Sequence, residues 1–289
     1  MRARRALASI AILTFVILAG AWIFGSVAAQ PHVAAVAAPK SPGRVVHLVA
    51  TDGVWLEGSY WPGRRASSPA ILLLHGINSS RASFTRHALW LNGLGYGVLA
   101  IDFRGHGGSA AVPRSFGLYE ARDVAAGLAF LRSGTPNRRV GLIGTSLGGA
   151  AALLDDHGPP AVQAMVLQAV YPDLRDAIFN RIARVVARPL AWVGEPLLSY
   201  QSWPRYGVPP GRIAPINALR RFRGSVLIIG GTADSNTTVA DTLALYRAAP
   251  GPKSLWLLNG FGHAATGSIF NNEYRRRVQA LFTSSLGPP

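Results

Sequence analysis

The sequence predicts an α/β fold, a mostly parallel sheet covered by helices on both faces. Three observations predict it. Strand-like and helix-like segments alternate from about Arg44 to the end of the chain, the pattern of parallel strands joined by crossover helices. Several strand candidates, such as Ala70–Leu74, are short unbroken apolar runs, as strands buried on both faces require. One such run, Val140–Ile143, ends in Gly144-Thr145-Ser146-Leu147-Gly148-Gly149 and passes straight into a helix-like segment, Ala150–Leu154. A Gly-x-Ser-x-Gly turn between strand and helix holds its serine hydroxyl out at the carboxyl edge of a sheet. The glycines supply the missing side chains around so tight a turn.

Taken in order, the chain opens with Arg2, Arg4 and Arg5 before an uncharged run from Ala6 to Ala29. As a helix at 1.5 Å per residue that run extends roughly 36 Å, enough to cross a hydrocarbon core of about 30 Å. A cleavable signal peptide has an apolar region of only about 7–15 residues, yet Ser26-Val27-Ala28 offers small residues at cleavage spacing. The segment 1–29 reads as a signal anchor or a signal peptide. In both readings the arginines stay cytoplasmic and the remainder is exported. Residues 30–43, rich in Ala and Pro, read as a linker.

Eight strand candidates and their helices follow. Arg44–Ala50 and Val54–Trp61 flank Asp52-Gly53, a hairpin signal. Ala70–Leu74 precedes a helix over Ser80–Gly93, and Gly97–Ile101 is the next strand. Gly117–Arg132 carries apolar residues near a 3.6 period. Arg139–Ile143 leads into the serine turn. Val162–Gln168, Ser225–Gly230 and Ser254–Leu258 are further strands, and Ser268–Leu286 is a closing helix. Between Tyr171 and Gly224 lie roughly fifty residues, where a short crossover would suffice. A long insertion in a compact domain usually covers or lines a site. Ile178–Val193 reads as a helix within it, followed by proline-rich stretches.

The chain has 289 residues, 49% hydrophobic and 15% charged, and no cysteine. This composition is that of an ordered globular protein. Disulfides, thiolate chemistry and cysteine-ligated zinc are excluded. The net charge of +16 comes almost wholly from arginine. Such charge favours anionic surfaces, but with no basic stripe interleaved with aromatics it reads as solvated surface charge, and no nucleic-acid partner is expected. No Asp/Glu/His set has metal-ligand spacing, and no phosphate loop of the Gly-Lys-Ser/Thr kind appears. No cofactor is therefore expected.

The serine motif alone is weak, because in a chain with 32 glycines a chance match arises in about one case in four. Its companions give it weight. His75-Gly76-Ile77-Asn78-Ser79-Ser80 follows one buried strand, and Asp102-Phe103-Arg104-Gly105-His106-Gly107-Gly108-Ser109 follows the next. Asp234 and His263 follow the last two strands. With the order Ser, Asp, His, the chain from about Arg44 onward resembles the α/β-hydrolase fold serine hydrolases. The elbow and the short helical insertion resemble the monoacylglycerol-lipase and Bem46-like branch. The resemblance implies an eight-stranded sheet, a hydrolase domain over 44–289 and a small helical lid over about 173–223.

Within that resemblance Ser146 is the candidate nucleophile. A serine hydroxyl is hardly ionised at neutral pH and needs a base within hydrogen-bond reach. His263, in the Gly-rich stretch Asn259–His263, suits that role. Asp234, from Gly230-Gly231-Thr232-Ala233, would orient the histidine; Asp173 is its rival, and Asp241 sits in a helix-like segment. The backbone N–H groups of Leu147 and Ile77 would form the oxyanion hole. His75, Asp102, Arg104 and His106 read as structural. In the insertion Phe179, Trp192 and Leu197 are candidate substrate contacts, alongside other apolar residues such as Ile178, Ile182 and Leu198.

These residues together predict a cofactor-free hydrolase of carboxylic esters, thioesters or lipid esters working through an acyl-enzyme. Its expected partners are a small-molecule or lipid acyl substrate and, through the N-terminal helix, a membrane. An exported aminopeptidase or amidase is the alternative, and it would need a carboxylate to hold a free amine: Glu195, Asp173 or Asp176. A non-catalytic interaction module is a further alternative. The residues carry no signal for oligomeric state.

Overall fold

Short, mostly apolar runs dictate the centre of the computed structural model, which describes residues 2–289. Every residue of Ala70–Leu74, Gly97–Ile101 and Ala164–Gln168 is buried. The sheet strands are β1 (Arg44–Val49), β2 (Trp55–Trp61), β3 (Ala70–Leu74), β4 (Gly97–Ile101), β5 (Val140–Thr145), β6 (Ala164–Gln168), β7 (Ser225–Gly231) and β8 (Lys253–Leu258). Their spatial order is β8-β7-β6-β5-β3-β4-β2-β1. From β8 to β4 every neighbouring pair is parallel; β4–β2 and β2–β1 are antiparallel. The eight-stranded, mostly parallel sheet is thus as the sequence predicts.

The helices are α1 (Arg2–Ala28), α2 (Thr85–Leu94), α3 (Glu120–Arg132), α4 (Leu147–Ala152), α5 (Leu174–Ala183), α6 (Arg188–Ser199), α7 (Ser202–Tyr206), α8 (Pro215–Leu219), α9 (Val239–Ala248), α10 (His263–Gly267) and α11 (Asn272–Leu286). Alternation along the strands sorts the core into two layers. Leu72, Leu74, Leu99 and Ile101 face Val124, Leu128 and Leu131 of α3 and Leu245 of α9. Ile71, Leu73, Val98 and Ala100 face Ala88 and Leu91 of α2 and Tyr274, Val278 and Phe282 of α11.

Several segments differ from the sequence reading. The helix expected from Ser80 is a 3-10 turn over Arg81–Phe84 followed by α2 from Thr85. The helix expected over Ile178–Val193 is two helices, α5 and α6, broken at 184–187. Pro189 sits in the first turn of α6, where its missing N–H costs nothing, so the break falls just before it. The helix expected from Gly117 starts at Glu120 because the Glu120 carboxylate turns back to accept the Ser115 and Gly117 N–H groups. The closing helix starts at Asn272 rather than Ser268, with the Asn271 side chain capping it. Residues 30–43 are no free linker. His32 and Val33 pair in parallel with His106 and Gly107, and Ala34 N–H donates to the Gly107 carbonyl at 2.9 Å.

Candidate active site

The turn from β5 into α4 exists only because two backbones meet there without side chains. A Cβ on Gly144 would sit 2.6 Å from Gly149 Cα, and one on Gly148 would overlap the Leu74 carbonyl of β3. Between them Ser146 takes φ 49°, ψ −112°, a strained conformation for a residue with a side chain. Asn78 and Phe116, both at φ 56°, line the same cavity as Ser146. Backbone strain therefore gathers around one site.

The 380 Å³ cavity above Ser146 is lined by Ile77, Leu147, Leu174, Ile178, Ile182 and Leu198, among others. The insertion between β6 and β7 supplies its upper wall through α5 and α6. The face of α5 turned to the cavity is Leu174, Ile178 and Ile182, four residues apart. Phe179, one position on, packs against Trp192 with ring centroids 4.7 Å apart. Phe179, Trp192 and Leu197 do not line the cavity; their neighbours Ile178, Ile182 and Leu198 do. Sequence identifies the helices as apolar but leaves their rotational phase to be set by packing.

Ser146, His263 and Asp234 lie in one hydrogen-bonded chain. His263 Nε2 is 3.1 Å from Ser146 Oγ, and His263 Nδ1 is 2.7 Å from Asp234 Oδ2. A carboxylate only accepts, so Nδ1 carries the hydrogen and the Nε2 lone pair faces the serine hydroxyl. Asp234 also accepts from Thr237 Oγ1 at 2.6 Å and from the N–H groups of Asn236 and Thr237 at 2.8 and 2.9 Å. Burial raises the pKa of this carboxyl, but the bonds from His263 and Thr237 outweigh burial and hold it below its ordinary value. The rival Asp173 instead caps α5 by accepting from Asp176 N–H. Asp241 closes a capping box with Thr238 at the start of α9.

His263 ends the Gly-rich stretch and is the first residue of α10, a short helix to which the sequence reading assigns no element. Gln168 Nε2 reaches the Thr266 carbonyl, and Tyr274 Oη donates to Gln168 Oε1. Gln168 O also accepts from Ser146 N–H. One buried glutamine thus ties the histidine helix to the serine turn. Sequence reading missed Thr237 and Gln168. The Asp-x-x-Thr spacing of Asp234 and Thr237 was a visible turn signal; Gln168, at the end of an apolar strand, had none.

Leu147, at the first position of α4, has an N–H with no intrahelical acceptor. Ile77 follows Gly76, whose carbonyl accepts from His75 Nδ1 at 2.7 Å. The other ring nitrogen, Nε2, accepts from Phe103 N–H. Both His75 nitrogens are thereby spent on backbone, and burial pushes its pKa down to about 4. The residues Asp102, Arg104 and His106 are likewise tied up. Asp102 pairs with Arg81. Arg104 bridges Asp123 at 2.7 Å and Asp52 at 2.6 Å, and this pairing holds the Asp52 carboxyl well below its ordinary range against a smaller effect of burial. His106 Nδ1 donates to the Arg104 carbonyl. Among the described residues no cluster of His, Asp and Glu could hold a metal ion.

The carboxylates proposed for gripping an amine lie elsewhere. Glu195 is buried and joined to Arg175 by two bonds of 3.0 Å. Among the described residues the cavity lining contains no Asp or Glu, whereas Arg114 and Arg181 do line it.

A family model described as serine aminopeptidase, S33, matches residues 65–202. An uncharacterized protein of Mycobacterium tuberculosis is 32% identical over 225 residues, 76% of this chain and 72% of that one. Human monoglyceride lipase is 33% identical over 111 residues, 37% of this chain and 36% of the lipase. Among solved structures, an esterase of Pyrococcus furiosus aligns with TM-score 0.68 at 24% identity, over 89% of this chain and 100% of the esterase. Given a relative this similar across most of both chains, a matching serine-hydrolase family model and the shared fold, the chain belongs to the α/β-hydrolase family of serine hydrolases.

Proposed function

We propose that the protein hydrolyses carboxylic esters, thioesters or lipid esters through an acyl-enzyme on Ser146. The observation that carries the reading is the Asp234–His263–Ser146 chain, whose serine lines an apolar cavity. Ser146 Oγ attacks the acyl carbonyl while His263 Nε2 takes its proton. The oxyanion that forms is held by the N–H groups of Leu147 and Ile77, and Asp234 stabilises the imidazolium. His263 then gives its proton to the departing alcohol as the ester bond breaks. Water enters, loses a proton to His263 and attacks the acyl carbon. The acid leaves and the proton returns to Ser146. No cofactor takes part in any step.

An ester is favoured over the aminopeptidase reading by the lining of the cavity. A free amine needs a carboxylate partner, and the charged groups facing the cavity are guanidinium groups. The human lipase and the archaeal esterase are named for ester substrates, which agrees with this choice. We further propose that α1 holds the chain in a membrane with residues 30–289 on the extracytoplasmic side.

The test pairs labelling by a fluorophosphonate with turnover of p-nitrophenyl esters and aminoacyl anilides. Wild type should label and cleave the esters faster than the anilides. Ser146→Ala should not label, and its kcat should fall by roughly 10⁴-fold or more. Equal labelling of the two proteins overturns the nucleophile assignment, and preference for anilides overturns the ester assignment.

A further inference from the structure

The helix α1 does more than precede the hydrolase domain. From Arg2 to Leu18 its side chains are exposed, and from Ala19 onward one face turns in against the protein. Gln201 Nε2 donates to the Ala21 carbonyl at 2.8 Å. Arg205 donates to the Trp22 carbonyl and to Ser26 Oγ, both at 2.8 Å, and its guanidinium lies 3.8 Å over the Trp22 ring. Arg114 NH2 donates to the Ala28 carbonyl at 2.8 Å. A Cβ on Gly25 would overlap the Gln201 carboxamide, so the helix can approach the insertion this closely only because position 25 has no side chain. Phe24, Gly25 and Ala28 line the same cavity as Ser146.

The position of that wall relative to a bilayer follows from α1 itself. From Arg5 to Trp22 the helix extends roughly 26 Å at 1.5 Å per residue, close to the thickness of a hydrocarbon core. An indole belongs at the water interface, and the guanidinium stacked on it belongs among phosphates. The membrane surface therefore falls at Trp22, about half a helical turn from Phe24 and under two turns from Ala28. Val185 lines the cavity yet is 81% exposed, and Phe24 is 62% exposed. Beside them the insertion bares Leu190, Val193 and Trp203, and α6, which carries Leu190 and Val193, packs against α1. So much exposed apolar surface marks a surface that binds something. Continuity with the membrane helix, and the arginines around it, identify the bilayer as the partner.

We propose that the last turns of α1 are a permanent wall of the substrate cavity, whose mouth between Phe24 and Val185 opens in the membrane surface to acyl esters of bilayer amphiphiles. The substrate part rests on the reading of Ser146 as an ester-cleaving nucleophile; the wall does not. Removal of α1 at the Ser26-Val27-Ala28 site would strip Phe24, Gly25 and Ala28 from the cavity. The helix is therefore retained in the working protein.

The absence of cysteine gives a direct test in the full chain reconstituted in lipid nanodiscs. Phe24→Cys and, in case that variant does not fold, Ala28→Cys are treated with a hexadecyl or an ethyl fluorophosphonate and then with a maleimide. The hexadecyl adduct on Ser146 slows alkylation of the introduced thiol and the ethyl adduct does not. Val49→Cys, exposed at the edge of the sheet and outside the cavity, is alkylated equally in both cases. Phe24→Ala and Phe24→Trp shift the ratio of kcat/KM for twelve- and four-carbon esters in opposite directions, by about tenfold or more. Equal alkylation behind both adducts, or a fully active membrane-extracted chain beginning at Ala29, overturns the proposal. A wild type that neither labels nor cleaves any ester overturns the ester reading instead, and the mass of the membrane-extracted chain then decides the fate of the wall.

Discussion

His75 does not line the cavity, yet it sets the direction of one of the groups that does. A peptide is planar, with C=O and N–H pointing opposite ways. Fixing the Gly76 carbonyl on His75 Nδ1 therefore fixes the N–H of Ile77. Removing an oxyanion donor outright costs about 10²–10³ in rate, so misaiming one through His75→Ala should lower kcat by roughly tenfold to a hundredfold with KM little changed. His75→Asn places an amide N–H near the position of Nδ1–H and should restore most of the loss. A variant that loses only melting temperature, with kcat intact, would show that His75 merely fills space. At this scale the sequence is informative wherever a fixed order is imposed: Ser146, Asp234 and His263 are singled out by the strands they follow, and their side chains lie in one hydrogen-bonded chain. It was uninformative about Phe179, Trp192 and Leu197, because whether a helical side chain meets the cavity or its neighbouring helix depends on a rotation of about 100° per residue.

The connections between elements carry the buried charge. Arg104, just after β4, reaches Asp123 on α3 and Asp52 in the β1–β2 turn, so three separate segments share one guanidinium. Cutting Asp123 leaves Arg104 with Asp52 alone, the more exposed of its two partners. Asp123→Ala should cost about 1–3 kcal/mol, read as a lower denaturant midpoint at unchanged slope. A loss below about 1 kcal/mol, the value of a solvent-exposed pair, would mean that water reaches Arg104. The strands were legible from sequence because a run such as Ala70–Leu74 has only one use in a sheet with two covered faces. The helix α10 was not, since five residues carry no period, and its place is set by the Gln168 bonds rather than by its own pattern. The break between α5 and α6 did have a signal, Pro189, which the apolar period on either side obscured.

At the scale of the molecule, three histidines are folded in as neutral groups. Burial is the leading cause that pushes the pKa values of His75, His87 and His106 from 6.5 down to about 4. Between those values the unfolded chain binds more protons than the folded one, so stability must fall as the pH drops from about 6.5 towards 4. The slope is at most roughly 1.4 kcal/mol per pH unit for each histidine. Melting temperature measured across this range should drop steeply, and His87→Leu, remote from the cavity, should flatten the curve. A flat wild-type profile would place those rings in contact with water. The pairing of His32 and Val33 with His106 and Gly107 has a consequence of another kind. A loose chain over residues 30–43 would let the catalytic body roam roughly 20 Å about its attachment point. The pairing shortens that free chain by tying its first residues to the body, so a protein held by α1, as proposed, would work like a tool on a short mast. With α1 in a bilayer, the body would meet molecules diffusing in its own leaflet, and turnover should follow their surface density rather than their concentration in bulk water.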